Sequence, residues 1–268
     1  MLSVETIGVA LIGYLLGSIP FGVLVAKRFG VDIYSVGSGN PGATNVLREI
    51  GKPAGYTVFV LDFLKGFLAT YWFLIPVFSF SGDPVLGLWG LPAAVLGHTY
   101  PLFTGFRGGK GVATAMGGLL GVMPECLVLG LVTWALIFYS TRYVAVASIC
   151  FGLSLPICAL VMYWASDENG RHGGVVFLAF VVMASIIWRH RSNLSRLRDG
   201  TENRFDRKKE SEKRRSTHSY QRATRWNNNT RVLWCERLSQ KRATQRKREE
   251  NGREREEKIS LSFSRGAM

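Results

Sequence analysis

The chain has 268 residues, 47% of them hydrophobic, and a formal net charge of +14 at pH 7, but its apolar and charged residues are segregated. Of the 33 lysines and arginines, 20 lie from residue 204 onward, whereas the first 203 residues contain apolar stretches of about 20 residues, enough to span a bilayer. These stretches exclude a soluble globular domain. The four cysteines have no metal-like or paired spacing, which predicts reduced, buried thiols and no metal site.

Seven apolar runs predict an all-α polytopic membrane protein of about seven transmembrane helices. They cover about residues 4–26, 54–80, 86–103, 112–122, 127–139, 143–165 and 175–188. The fourth and fifth runs are short for a full crossing, and Pro124 and Glu125 between them favour two short helices over one deformed helix. No basic region or small-residue cleavage site precedes Lys27, so we expect the first run to remain as a membrane helix.

Basic residues mark one set of helix ends, and this asymmetry predicts the orientation. With the N-terminus outside, seven crossings place the C-terminus and nearly all basic loop residues in the cytoplasm. The outer turns hold Asp83, Glu125, Asp167 and Glu168, opposed only by Arg171, and the inner residues are Lys27, Arg28, Arg48, Lys52, Arg107, Lys110, Arg142 and the cluster at Arg189. Three polar clusters far apart in sequence would then lie at one membrane face.

The first polar cluster, residues 35–48, is a glycine-rich loop between two apolar runs. Its short polar side chains and glycine amides could hold an anion, and Arg48 could bind a phosphate or a carboxylate. A short helix beginning near Val46 would add N–H groups facing the same ligand. Ala43 stands where a nucleotide-binding P-loop needs its lysine, so we reject ATP or GTP binding. A re-entrant turn without a ligand remains the alternative.

The second cluster, residues 105–111, is glycine-rich and contains Lys110, and the third contains His190 and Asn193, three residues apart on one side of a predicted helix. Histidine can transfer a proton near neutral pH, and asparagine can orient a hydroxyl group. The alternative for residues 189–191 is a positively charged stop at the headgroups. Within the second run, Asp62 and Lys65 are spaced to neutralise each other, which predicts structural support.

Several long motifs together resemble the bacterial acyl-phosphate:glycerol-3-phosphate acyltransferases (the PlsY family) over about residues 1 to 209. They are GSGNPGATNV at 37–46 with Arg48, GH at 97–98 with FRGGKGVAT at 106–114, and RHR at 189–191 with Asn193, Arg196, Gly200 and Glu202; GSIPFG at 17–22 and LDFLKG at 61–66 also match. The motifs occur in the right order at plausible spacing, which makes the resemblance far more specific than any single glycine loop.

The resemblance implies a bacterial inner-membrane enzyme without a cofactor, with its site at the cytoplasmic side. It would transfer a fatty acyl group from acyl phosphate to the 1-hydroxyl of sn-glycerol 3-phosphate, giving lysophosphatidic acid and phosphate. The roles implied for this sequence are catalysis by Ser38, His190 and Asn193, substrate binding by Asn40, Thr44, Asn45, Arg48, Gly108, Gly109, Lys110 and Gly111, and structural support by Asp62, Lys65 and Glu202.

The resemblance ends near Lys209, and residues 210–268 form a basic, polar tail that we expect to be a disordered cytoplasmic segment. The tail could contact anionic lipid headgroups, or it could be an extension with no selected role. No motif supports nucleic-acid binding. An anion transporter is the rival function, because basic glycine-rich loops also suit a substrate gate, but the sequence shows no convincing internal repeat.

Overall fold

The computed structural model describes residues 3–74, 83–165 and 169–205, and within these ranges the secondary structure is helical without strands. The α-helices, in chain order, are α1 Val4–Ser18, α2 Phe21–Arg28, α3 Ala43–Glu49, α4 Lys52–Tyr71, α5 Gly87–Thr99, α6 Val112–Val122, α7 Pro124–Thr141, α8 Val144–Ala165, α9 Asn169–Arg189 and α10 Arg191–Arg198. The end of the second predicted run, the outer residues Asp167 and Glu168, and the tail from residue 206 lie outside the described residues.

The first apolar run forms two helices instead of the single predicted helix. Ser3 caps α1 by accepting a hydrogen bond from the backbone N–H of Thr6. The helix ends at Ser18 because Pro20 disfavours helical backbone at Ile19, which is extended at φ −63° and ψ 116°. Lys65 on α4 donates to the Ile19 carbonyl at 2.8 Å, so this carbonyl at the break between α1 and α2 has a hydrogen-bond partner inside the bundle.

Small residues allow the helices of the bundle to approach closely. Helix α1 packs on α5, α4 on α6, and α8 on both α7 and α9. A Cβ atom at Gly17 would overlap the backbone of Ala94, and one at Gly66 would overlap the backbone of Thr114. Such close backbone approach is typical of helix pairs in membranes, where association depends on van der Waals contact.

Three described helical segments are long and apolar enough to cross a membrane, namely Val4–Arg28, Pro124–Thr141 and Val144–Ala165. A bent pair, Gly173–Arg189 with Arg191–Arg198, is a fourth if it forms one span, and its bend is 51°. Helices α6 and α7 are separate, because Met123 breaks the helical conformation and Pro124 starts the next helix. The 11 residues of α6 extend about 16 Å, roughly half of a bilayer's hydrocarbon thickness.

The segment after α10 returns toward the bundle. Gly200 has a positive φ of 68°, which turns the chain, and the backbone N–H groups of Thr201 and Glu202 both donate to the carbonyl of Arg196. The backbone N–H of Phe205 then donates to the carbonyl of Arg142, at the end of α7. Residues 201–205, which we call the strap, thus run from the third polar cluster to the α7–α8 turn.

Candidate functional site

The first polar cluster folds as a loop that its own asparagines organise. The side chain of Asn45 is buried and bridges the loop, accepting from the backbone N–H of Ser38 at 3.0 Å and donating to the carbonyl of Val36 at 3.1 Å. Asn40 accepts from the backbone N–H of Gly42 at 2.9 Å. Helix α3 begins immediately afterwards at Ala43, earlier than the turn considered from the sequence, while Ser38 is exposed.

The glycine loop of the second cluster lies directly against the end of α5. The backbone N–H of Gly109 donates to the carbonyl of His98 at 3.1 Å. A Cβ atom at Gly108 would overlap that same carbonyl, and one at Gly109 would overlap the His98 imidazole, so both positions require glycine. Gly111 has a positive φ of 78° and precedes α6. The loop therefore presents Lys110 from a tightly fixed backbone.

The third cluster meets the second through a chain of hydrogen bonds. Lys110 donates from Nζ to Oδ1 of Asn193, although the two residues are 83 positions apart. Nδ2 of Asn193 donates to Oε1 of Glu202 at 2.8 Å, and Nε of Arg196 donates to Oε2 of Glu202 at 2.8 Å. The carboxylate of Glu202 therefore orients the amide that contacts Lys110.

Arg48 connects the first cluster to the strap, which also carries Glu202. Its guanidinium donates to the carbonyl of Asn203 at 3.0 Å and lies 4.6 Å from the ring centroid of Phe205. Its charge also contributes to the electrostatic environment of Lys110. The predicted substrate-binding cations of the first and second clusters thus belong to one constellation.

Burial sets the protonation of the two titratable groups in this constellation. Loss of water around the ammonium group lowers the pKa of Lys110 to about 8; the Glu202 carboxylate opposes this shift, and the Arg196 charge adds to it. His190 lies in the bend after α9, where burial, helped by the charge on Lys110, lowers its pKa to about 4. At neutral pH Lys110 is mostly charged and His190 is neutral. The His190 Nδ1 atom lies 2.8 Å from the carbonyl of Ile186, which favours the tautomer with a proton on Nδ1.

Asp62 and Lys65 form the ion pair that their spacing indicates, with 2.9 Å between Lys65 Nζ and Asp62 Oδ1, and both side chains are buried. His98 joins this pair, because its Nδ1 atom lies 3.5 Å from Asp62 Oδ1 and 3.2 Å from the hydroxyl of Thr114. The group lies beneath the glycine loop, which His98 contacts directly.

Two positioning contacts were missed by sequence reasoning. Arg189 donates to the carbonyls of Gly108 and Gly109 at 3.3 and 2.9 Å, so it holds the glycine loop as well as marking a helix end. Tyr34 donates from its hydroxyl to the carbonyl of Arg107 at 2.6 Å. All three bonds end on backbone carbonyls, which leave no signal in a residue pattern.

Comparisons with known proteins agree on one family. The family model described as Glycerol-3-phosphate acyltransferase matches residues 7–200. The chain is 50% identical over 193 residues to the glycerol-3-phosphate acyltransferase of Aquifex aeolicus (strain VF5), which covers 72% of this chain and 95% of that relative.

Two solved structures share the fold. The crystal structure of PlsY (YgiH), an integral membrane glycerol 3-phosphate acyltransferase, in its glycerol 3-phosphate form is 46% identical with a TM-score of 0.65, over 75% of this chain and 96% of that chain. Its lysophosphatidic acid form matches at 46% identity and a TM-score of 0.64, over 75% and 95% of the two chains. Since the family model spans most of the chain and a relative is half identical over nearly its full length, this chain belongs to the glycerol-3-phosphate acyltransferase family.

Proposed function

We propose that this integral membrane acyltransferase transfers a fatty acyl group from acyl phosphate to the 1-hydroxyl of sn-glycerol 3-phosphate. The products are lysophosphatidic acid and inorganic phosphate. The observation that carries the proposal is the contact of Lys110 with Asn193, which joins two motifs 83 residues apart, while Arg48 bonds to Asn203, the residue after the Glu202 that holds Asn193. Both substrates carry a phosphate, and this constellation supplies cations and backbone amides for two such groups.

The glycerol 3-phosphate phosphate lies, in this proposal, at Lys110 and against the glycine loop of residues 108–111, in which the Gly109 N–H is already bonded to His98 and fixes the shape of the cradle. Arg48 provides a second cation, and its planar guanidinium suits bidentate phosphate binding. Ser38 and Thr44 belong, in this proposal, to the polar set around the reacting groups, while Asn40 and Asn45 give the loop its shape. The acyl chain stays in the surrounding lipid or along apolar helix surface.

Acyl phosphate is a mixed anhydride, so direct attack needs no acyl-enzyme. The glycerol hydroxyl oxygen forms a bond to the acyl carbon, the bond between that carbon and the phosphate oxygen breaks, and its electron pair leaves with phosphate. Holding both substrates together makes this an effectively unimolecular step. Lys110, Arg48 and the amides compensate the charge on the phosphates.

We assign the hydroxyl proton to a phosphate oxygen of the substrate. A pKa of about 4 makes His190 a weak base, whereas the dianion of a phosphate monoester takes up a proton with a pKa of about 6. With Nδ1 directed to Ile186, the Nε2 atom of neutral His190 is left as an acceptor that can orient the hydroxyl. Asn193 is the second group for this orientation.

We further propose seven crossings, with the N-terminus outside and the site at the cytoplasmic face of a bacterial inner membrane. The distribution of lysine and arginine near the helix ends supports this orientation. The three polar clusters lie at helix ends, as a site at a membrane surface requires. We place the boundary of the membrane domain near residue 209, and the basic tail beyond it is suited to contacts with anionic headgroups.

The test is release of inorganic phosphate by detergent-purified protein given palmitoyl phosphate, with and without sn-glycerol 3-phosphate. We expect release to require glycerol 3-phosphate, to yield lysophosphatidic acid, and to be lost in Lys110→Ala. Lys52→Ala is the matched control, because Lys52 is an exposed lysine at the start of α4. Palmitoyl-CoA should not replace palmitoyl phosphate as the donor.

Two results would contradict the proposal. Turnover with palmitoyl-CoA but not with palmitoyl phosphate would overturn the donor while leaving the family assignment intact. Full activity in Lys110→Ala would show that Lys110 is not needed to bind phosphate, and would contradict the proposed phosphate site. Folding of each variant is checked by its elution profile and thermal unfolding midpoint in the same detergent.

A further inference from the structure

The strap, residues 201–205, begins just beyond the last residue of the family match, at position 200. It nevertheless reaches into the candidate site. Its backbone is anchored at both ends, by the bonds from Thr201 and Glu202 to Arg196 and by the bond from Phe205 to Arg142. The Phe205 ring also packs edge-on against Phe138 of α7, with 5.7 Å between the ring centroids. The strap is therefore a fixed element.

Two groups of the strap contact the Arg48 guanidinium from different directions. The carbonyl of Asn203 accepts from its edge at 3.0 Å, and the ring of Phe205 lies 4.6 Å from its central carbon. A carbonyl determines where an N–H group points, and an aromatic face determines where the cation lies. Together the two contacts restrict the orientation of the guanidinium at the end of this long side chain.

We propose that Phe205 is a positioning residue that holds Arg48 in the orientation in which it receives the phosphate of glycerol 3-phosphate. The inference rests on the proposed function, which makes Arg48 a phosphate ligand. Ordering Arg48 before the substrate arrives reduces the entropy lost on binding. The effect therefore belongs to the KM for glycerol 3-phosphate more than to kcat.

A purely structural role for Phe205 makes a different prediction. If the ring only fills space against Phe138, any apolar side chain of similar size will replace it. If it holds Arg48, the replacement must have an aromatic face. Phe205→Leu keeps an apolar side chain and removes the aromatic face, whereas Phe205→Tyr keeps both, so this pair separates the two roles.

The experiment measures kcat and the KM for glycerol 3-phosphate at saturating palmitoyl phosphate in these variants. We expect Phe205→Leu to raise the KM roughly three- to tenfold, the range of a partly desolvated cation–π contact, with kcat changed less than about twofold. Phe205→Tyr should remain within about twofold of the wild type. Phe177→Leu, at an exposed phenylalanine of α9, is the matched control.

Equilibrium binding of radiolabelled glycerol 3-phosphate to the same proteins provides a second, donor-independent measurement. In an Arg48→Ala background, Phe205→Leu should have no further effect on this binding. Equal KM and binding values for Phe205→Leu and Phe205→Tyr would overturn the inference. A Phe205→Leu variant whose unfolding midpoint falls while its KM and binding stay at wild-type values would overturn it as well.

The two proposals fail in distinguishable ways. A wild type that binds glycerol 3-phosphate but does not use palmitoyl phosphate contradicts the donor, and the binding series still decides the role of Phe205. A wild type with full turnover whose two Phe205 variants behave alike contradicts positioning and leaves the acyltransferase intact. A wild type that does not bind glycerol 3-phosphate overturns both.

Discussion

The proposed phosphate-binding role of Lys110 requires a charged ammonium group, yet the partial burial of this side chain opposes that charge. Its pKa of about 8 means that Lys110 loses its charge within the pH range in which activity can be measured, whereas an ordinary lysine stays charged to higher pH. His190 is shifted in the same direction and is neutral throughout this range. The pH dependence at alkaline pH therefore reports on Lys110.

We expect kcat/KM for glycerol 3-phosphate to fall as the pH rises through about 8, because the free enzyme then loses the Lys110 charge. Lys110→Arg should remove this decline, since a guanidinium stays protonated, although its different shape will lower the maximum. The measurement is a kcat/KM profile from pH 6 to 10. An unchanged decline in Lys110→Arg would assign it to another group.

Replacing His190 separates proton transfer from orientation. If the substrate phosphate takes the proton, His190→Gln should reduce kcat by roughly ten- to a hundredfold, less than the largest losses seen for a general base. Its pH profile should keep the wild-type shape below pH 8. Loss of all detectable turnover, with a wild-type unfolding midpoint, would instead identify His190 as the proton acceptor.

At the scale of elements, buried polar side chains connect helices that apolar contacts alone would leave free to slide. Lys65 on α4 reaches both Asp62 and the break between α1 and α2, while His98 extends the group from α5 to the glycine loop. Glu202 likewise attaches the strap to α10, because it accepts hydrogen bonds from Asn193 and Arg196 of that helix.

Asp62→Ala should destabilise the bundle strongly, by about 3–5 kcal/mol, because it leaves the Lys65 ammonium buried without its carboxylate. Asp199→Ala is the control, since the Arg198–Asp199 pair is exposed and contributes at most about 1 kcal/mol. The measurement is thermal unfolding in detergent. Asp62→Leu combined with Lys65→Met should be less damaging than Asp62→Ala; equal losses would show that charge pairing is not the cause.

Glu202→Gln tests the connection between α10 and the second cluster. The carboxylate raises the pKa of Lys110, so its neutralisation should move the alkaline decline of kcat/KM to lower pH. The amide can still accept from Asn193, which should limit the loss of stability. A profile that stays in place would show that Glu202 acts on shape alone.

At the scale of the whole molecule, the proposed orientation places every polar cluster on the side where soluble glycerol 3-phosphate is found. The broken first run shows that a candidate span need not be a single, straight helix, and α6 by itself is shorter than the hydrocarbon thickness of a bilayer. The membrane topology is therefore tested by measuring which loop residues a membrane-impermeant reagent can reach from each side.

We expect a membrane-impermeant maleimide to label Glu125→Cys in intact spheroplasts, and Lys52→Cys only after lysis, in a background without the native cysteines. Both positions are exposed, and they lie at the starts of α7 and α4. The physical basis is the excess of lysine and arginine at cytoplasmic helix ends. Labelling of Lys52→Cys in intact spheroplasts would reverse the proposed orientation.

The sequence alone determined the helical class, the positions of most helices, the three polar clusters and the family. Apolar runs, prolines and glycines act locally, so the separate helices α6 and α7 and the Asp62–Lys65 pair could be predicted. The break at Ile19 is also local, since Pro20 causes it, although the apolar run was interpreted as one helix. Tertiary packing, in contrast, decided the contacts of Lys110 with Asn193, Arg189 with the glycine loop, and Phe205 with Arg48. These contacts join residues about 80 to 157 positions apart, and those of Arg189 end on backbone carbonyls, so they depend on how the helices pack rather than on any local pattern.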